Sequence, residues 1–339
     1  MTAGSQRPLL DARGRVARSL RVSLTDRCNL RCTYCMPPEG LPWLAPESVM
    51  TDDEVVRLVR LAVERLGITA VRFTGGEPLL RPNLEAIVAE VASATTVAGM
   101  PPLIALTTNG LGLADRAEDL AAAGVDRVNV SLDTLKPERF AALSRRDRLP
   151  QILAGLAAAR AAGLRPVKLN AVLMRAINDD EACDLAEFAL EHRYFLRFIE
   201  QMPIGPGDAW DASDVVTAQE ILDRLRTRFS LTLLEKGRGS SPAQTWLVDG
   251  GPGAIGIIAS VSWPFCDACD RVRLTADGKL RSCLFAHEET DLLALVRGGA
   301  SDDELAEAWA AAVRGKPAWH GIGGSDFEPP ARTMSRIGG

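Results

Sequence analysis

Residues 19–35 read SLRVSLTDRCNLRCTYC, a short β-branched run that ends in a polar turn and then delivers three cysteines at C-x3-C-x2-C spacing. The first part, Leu20–Thr25, has strand composition, and the cysteines follow it where the loop at the C-terminal face of a barrel strand would sit. Five similar runs follow: Ala70–Thr74, Leu103–Thr107, Asp126–Leu132, Pro166–Leu173 and Phe195–Gln201. Segments of helical period lie between them. One reads DDEVVRLVRLAVERLG, with Thr51 as N-cap and Gly67 as the stop. Such alternation predicts an α/β fold, an incomplete (βα)6 TIM-type barrel two units short of a closed one, over residues 1–235.

From residue 236 to 339 the chain turns rich in Gly, Ser and Pro with short strands, which predicts a separate α+β layer closing the open side of the barrel. Within it, RVRLTADGKLRSCLF places Asp277-Gly278 between two alternating runs, a hairpin signal that returns Cys283 toward Cys269. Residues 302–314 form a last amphipathic helix. The tail MSRIGG is too glycine-rich to be ordered by its own packing.

The net charge of -5 gives no basic field to attract a nucleic-acid backbone, so any anionic ligand must meet locally placed cations. No run of about 18 apolar residues is present to span a bilayer, and residues 1–15 carry no apolar signal core. These features predict a soluble, cytoplasmic protein. Seven cysteines in such a chain point to metal or catalytic chemistry rather than disulfides. Cys28, Cys32 and Cys35 form one group, and Cys266, Cys269 and Cys283 a second. Cys183 stands alone in a helical stretch and reads as a small packing residue.

A four-iron cubane takes four thiolates, so three leave one iron open for a chelating ligand. A structural zinc site needs four ligands, and no histidine lies within zinc-loop spacing of the first group. Here the sequence resembles the radical S-adenosylmethionine superfamily, whose CxxxCxxC loop with an aromatic before the third cysteine matches Cys28, Cys32, Tyr34 and Cys35. The resemblance implies a [4Fe-4S] cluster whose open iron chelates S-adenosylmethionine and yields a 5'-deoxyadenosyl radical. It also implies cofactor contacts from Tyr34, from Gly76 in the TGGEP run 74–78, from Ser131 in NVSLD and from Met202 in IEQMP.

The second group, C-x2-C-x13-C, is ambiguous by spacing: His287, four residues past Cys283, could complete a Cys3His zinc site as readily as three thiolates could hold a cluster. Cations on the strands supply a separate signal. Arg21, Arg72 and Lys168 interrupt strands expected to be apolar on both faces, and Arg271 and Arg273 share one face just after Cys269. Each buried charge must meet a carboxylate (Asp133, Glu77 and Glu200 are candidates) or an anionic ligand. A nucleoside triphosphate would suit five converging cations, each charge-assisted bond contributing roughly 1.5–3 kcal/mol.

The context CDACDRVRLT…GKLRSCLF and the terminal MSRIGG are similar to the GTP 3',8-cyclase family, which opens molybdenum cofactor biosynthesis, and the resemblance runs from Arg21 to Gly339. It implies a second [4Fe-4S] cluster on Cys266, Cys269 and Cys283 whose free iron meets the guanine. It implies GTP contacts from Arg21, Arg72, Thr107, Lys168, Arg271, Val272 (through its backbone) and Arg273, with Gly338 and Gly339 reaching toward the active site. The implied reaction is abstraction of the ribose 3' hydrogen, attack of that carbon on guanine C8, and quenching of the product radical, with Arg271 or Arg273 as the catalytic candidates. Implied partners are an external low-potential electron donor and cyclic pyranopterin monophosphate synthase downstream, with a homodimer as a further expectation. Two other readings stand beside this one: a radical enzyme acting on a peptide, with the C-terminal cluster only relaying electrons, and a noncatalytic zinc protein on a barrel scaffold.

Overall fold

Thr51 and Glu54 bond each other's backbone N–H groups, Glu54 N to Thr51 Oγ1 at 3.2 Å and Thr51 N to the Glu54 carboxylate at 2.7 Å, and this reciprocal cap opens the helix Asp52–Arg65. Gly67, at φ +80°, ends that turn in the left-handed region. The computed structural model describes residues 7–205, 210–235 and 238–338. Six parallel strands follow the expected alternation: β1 Ser19–Ser23, β2 Ala70–Thr74, β3 Leu103–Thr108, β4 Arg127–Ser131, β5 Lys168–Leu173 and β6 Phe195–Glu200. Between β4 and β5 an α-helix went unforeseen, the short Pro137–Ser144, which starts on a proline.

Alternation along each strand sorts its side chains. Leu20, Val22, Val71, Phe73, Ile104, Leu106, Val128, Val130, Leu169, Leu196 and Phe198 are all 1% exposed or less and pack in the main core with the surrounding helices. Burying each contributes roughly 1.5–3 kcal/mol. Their neighbours face the barrel interior, and most of these are polar. In the ladder Arg21 stands beside Arg72, Arg72 beside Ala105, and Ala105 beside Arg127. One step further along, Thr107 stands beside Asn129, and Asn170 beside Arg197.

The C-terminal third does not form a separate layer. Its strands are β7 Leu231–Leu233, β8 Gln244–Val248, β9 Ala254–Ile258, β10 Arg271–Leu274, β11 Lys279–Arg281 and β12 Thr290–Asp291. They join the barrel sheet at both edges, in the order β12-β11-β10-β1-β2-β3-β4-β5-β6-β9-β8-β7. Strand β10 pairs parallel with β1, and β9 parallel with β6. The physical reason lies in the open barrel itself, since its two edge strands each present a row of unpaired N–H and C=O groups that another strand satisfies best. The expected hairpin forms between β10 and β11, with Gly278 at φ +67° in its turn. No helix among the described residues is long and apolar enough to cross a membrane.

Candidate active site

The first cysteine loop is held against the barrel mouth from several sides. Arg145 donates to the carbonyls of Arg31 and Met36, at 3.0 Å each, and so brackets Cys32 and Cys35. The Tyr34 hydroxyl donates to Asp133 Oδ2 at 2.7 Å, while Asp133 Oδ1 accepts from Val172 N at 2.9 Å, which fastens the loop to the ends of β4 and β5. Asn109 Nδ2 reaches Asn29 Oδ1 at 2.8 Å and the Cys28 sulfur at 3.6 Å. At Gly76 an added Cβ would stand 2.3 Å from the Arg27 carbonyl, so this glycine is required by the approach of the GGEP turn to the segment leading into Cys28. Glu77 N donates to that same carbonyl at 2.8 Å.

Cys28, Cys32 and Cys35 share a cavity of about 200 Å³ with Tyr34, Gly76, Ser131 and Met202. All seven cysteines are free. Burial raises the Cys28 thiol, raises Cys32 strongly and pushes Cys35 up to about 12. Thiols that grip their protons this firmly become thiolates only by exchanging the proton for metal, which suits three donors on one loop around one cavity to a cluster.

A second cavity of about 180 Å³ is lined by Cys266, Cys269 and Cys283 together with Arg21, Arg72, Arg197, Arg271 and Arg273. The two cavities share Thr107, Asn170, Ile199, Met202 and Met334, so they meet in the barrel interior. Burial works to raise the Cys269 thiol, but Arg271 and Lys316 more than offset it and hold it below its usual value. His287 lines a different, outer cleft of about 800 Å³ that contains none of the cysteines. Among the described residues, no group of three or more His, Cys, Asp or Glu side chains gathers as ligands of one ion. His287 therefore does not complete the second trio; the histidine that shares the trio's cavity is His320, whose Nε2 is buried without a partner.

The candidate carboxylate partners of the cations are all engaged elsewhere. Asp133 takes Tyr34. Glu77 accepts from Thr108 Oγ1 and Asn109 N, at 2.7 Å each, and Glu200 accepts from the backbone of Ala218, Val261 and Ser262. Among the described residues Arg21, Arg72, Lys168 and Arg273 form no ion pair, and the Nε atoms of Arg21 and Arg72 are buried without a partner. Burial and mutual repulsion push Arg21 and Arg273 well below their ordinary values, and Arg72 to about 9. A guanidinium keeps its proton in proteins, so this cost is an unmet demand for an anion.

Other expected residues fall in place unequally. Arg273 stands beside Arg21 in the β1–β10 ladder and donates to the Gly338 carbonyl. Arg271 is partly answered already: it donates to Ser240 O at 2.7 Å, approaches Asp270 at 3.9 Å and covers the Phe265 ring. Val272 turns a fully buried side chain into the core. Lys168 begins β5 with its ammonium 5.3 Å from the Phe195 ring centre, away from the cavity linings. Gly338 packs on Ser23 and Thr74, and Gly339 lies outside the described residues. Sequence reasoning missed Arg197, which is 4% exposed and donates to Asn170 Oδ1 at 2.9 Å and Asn129 Oδ1 at 2.7 Å. Its signal was present, since a charged residue in FLRFIE breaks an apolar run as Arg72 does in AVRFT.

Compared with known proteins, the chain matches the Radical SAM superfamily over residues 22–189 and Molybdenum Cofactor Synthesis C over residues 194–322. It is 60% identical over 332 residues to the GTP 3',8-cyclase of Streptomyces coelicolor, covering 98% of this chain and 96% of that one. To the GTP 3',8-cyclase of Mycolicibacterium smegmatis it is 56% identical over 336 residues, covering 98% and 92%. Streptococcus suis SuiB bound to S-adenosylmethionine superposes with a TM-score of 0.56 at 14% identity, over 89% of this chain and 69% of that one, which shows a shared fold.

Proposed function

The chain belongs to the GTP 3',8-cyclase family of radical S-adenosylmethionine enzymes, and from that premise we propose how its residues divide the work. It is a lyase of molybdenum cofactor biosynthesis that uses S-adenosylmethionine and a [4Fe-4S] cluster to cyclise GTP. Cys28, Cys32 and Cys35 hold that cluster, with Tyr34, Gly76, Ser131 and Met202 around the cofactor. When bound, cluster and cofactor together supply the 5'-deoxyadenosyl radical that removes the hydrogen at ribose C3', after which that carbon bonds to guanine C8 to give (8S)-3',8-cyclo-7,8-dihydroguanosine 5'-triphosphate. Cys266, Cys269 and Cys283 hold a second cluster that receives the guanine.

The carrying observation is the junction of the two cavities in the barrel interior, the second of them lined by five arginines and no carboxylate. Arg21, Arg72, Arg197 and Arg273 line the second cavity and take the triphosphate, and Lys168, at the start of β5 and outside that lining, adds its charge from behind them. Thr107, at the junction, lies where the ribose must sit for its 3' carbon to face both cavities. Arg273, tied to the Gly338 carbonyl, and Arg271 orient the base-side atoms and stabilise the charge that develops as one electron, from the low-potential donor by way of the second cluster, and one proton quench the product radical. The tail, residues 334–338, stoppers the junction and keeps water from the radical. We take residues 1–235 as the cofactor-binding part and 236–339 as the part that completes the substrate site. A cytoplasmic setting, a low-potential electron donor and cyclic pyranopterin monophosphate synthase as recipient complete the reading.

Anaerobic incubation of reconstituted protein with S-adenosylmethionine, dithionite and GTP should yield one 5'-deoxyadenosine per cyclised nucleotide. Formation of 5'-deoxyadenosine with GTP left intact would remove the substrate assignment. A pH signature should accompany binding. Burial, and then the charges of Arg197, Arg127 and Arg72, lower Lys168 to about 7, so near neutrality its ammonium is half deprotonated until an anion restores the proton. GTP binding should therefore take up a proton, and affinity should fall about tenfold per pH unit above 7. Calorimetry in buffers of different ionisation heat checks this, and Lys168→Met should flatten the dependence.

A further inference from the structure

Lys316 lies just past the helix Asp302–Arg314 and is 7% exposed. Its ammonium donates to the Cys269 carbonyl at 3.0 Å and to the Arg271 carbonyl at 2.7 Å. A buried ammonium calls for a counter-charge, and the charged groups that bear on this one are the thiols of Cys269 and Cys283 and the guanidinium of Arg15, with no carboxylate among them. Arg15 differs. Its charge is answered by Asp11, whose side chain is fully buried beside it. What remains of its donors forms a clamp: Nη1 bonds the Cys266 carbonyl at 2.8 Å and Nη2 the Pro317 carbonyl at 2.7 Å. Arg15 thus fixes the backbone that carries Lys316 to the backbone that carries the second cysteine trio.

We propose that Lys316 is a positioning residue, a built-in counter-cation of the second metal centre that holds its loop and balances its negative charge from outside the cavity, so that cluster retention and reduction potential depend on its ammonium. The inference rests on the reading of Cys266, Cys269 and Cys283 as cluster ligands. A three-thiolate cubane is anionic, and its reduction adds another negative charge. A fixed cation bonded to the backbone of Cys269 and Arg271 favours both the thiolates and the reduced state, a contribution from outside the ligand set. Neither Lys316 nor Arg15 touches the cavity where substrate would bind, which separates this role from that of the barrel cations.

The test uses the full chain, reconstituted anaerobically as wild type, Lys316→Met, Lys316→Gln and Lys316→Arg. Iron and sulfide per chain and a potentiometric titration followed by electron paramagnetic resonance are the readouts. Wild type should carry two cubanes. The Met and Gln variants should lose the second, or keep it with a potential lower by about 59 mV or more, a tenfold change in the one-electron equilibrium. Arg should restore it, and the first centre should titrate unchanged throughout. Gln keeps a donor for the two carbonyls without the charge. A Gln variant that folds, loads two cubanes and titrates like wild type overturns the proposal, whether or not the Met variant folds. A wild-type chain with one cubane would instead sink the second-cluster reading, an outcome visible before any substitution is made.

Discussion

Arg273→Ala is expected to weaken GTP binding by about 10²–10⁴-fold, the loss of two charge-assisted hydrogen bonds at roughly 1.5–3 kcal/mol each. The side chain is 4% exposed, lies next to Arg21 across the β1–β10 ladder and has no carboxylate partner among the described residues, so an anion is what its placement requires. Removing it also frees the Gly338 carbonyl, its hydrogen-bond partner. The substitution relieves repulsion among buried cations, so the apo protein should not lose stability. Its melting temperature should stay level or rise while affinity collapses. Isothermal titration with GTP and a thermal melt of the same preparation decide the matter, and an affinity within threefold of wild type would remove Arg273 from the substrate site.

Gly338→Ala should cost turnover at least about 100-fold with little change in cluster content or fold. Gly338 sits at φ +92°, where a side chain is strained by roughly 1–2 kcal/mol. Its added Cβ would meet Ser23 Cβ at 3.0 Å and Thr74 Cγ2 at 3.1 Å. Both neighbours are strand ends of β1 and β2 and cannot yield, so the tail must lift and the two cavities lose their stopper. Gly163→Ala is the control: its φ is +83° but nothing lies within 4 Å of the new Cβ, so only the strain is added, in the loop before β5 at the opposite end of the strands from Ser23 and Thr74. Equal turnover in the two variants would mean that the tail does no more than end the chain. The assay is the yield of cyclised nucleotide per 5'-deoxyadenosine, since a lifted tail should also uncouple the two.

Much of this was legible before any coordinates. The six barrel strands lie within two residues of where β-branched runs place them, because parallel strands flanked by capped helices carry both period and punctuation. Each cysteine trio lines one cavity. What sequence hid was register. The short strands of the C-terminal third read as a separate layer because nothing local reveals that Val272 will stand beside Leu20 or Ile255 beside Leu196. The polar lining of the barrel was only half visible, since an asparagine in VNVSLD or KLNAVL looks like a turn residue until its neighbours show it bonded to Arg197. Arg15 and Lys316 resemble ordinary surface charges, and only packing across about 300 positions of chain buries them.

That long-range pairing shapes how the protein is made. During synthesis Ser19–Ser23 leaves the ribosome some 250 residues before Arg271–Leu274, the strand that lies along its outer side, and Phe195–Glu200 likewise waits for Ala254–Ile258. Until then a nascent barrel offers two bare edges to other chains, the situation in which intermediates associate wrongly. Truncation anywhere before residue 274 should thus give aggregation rather than a smaller stable enzyme, and the cell's chaperones meet this polypeptide with both flanks still open.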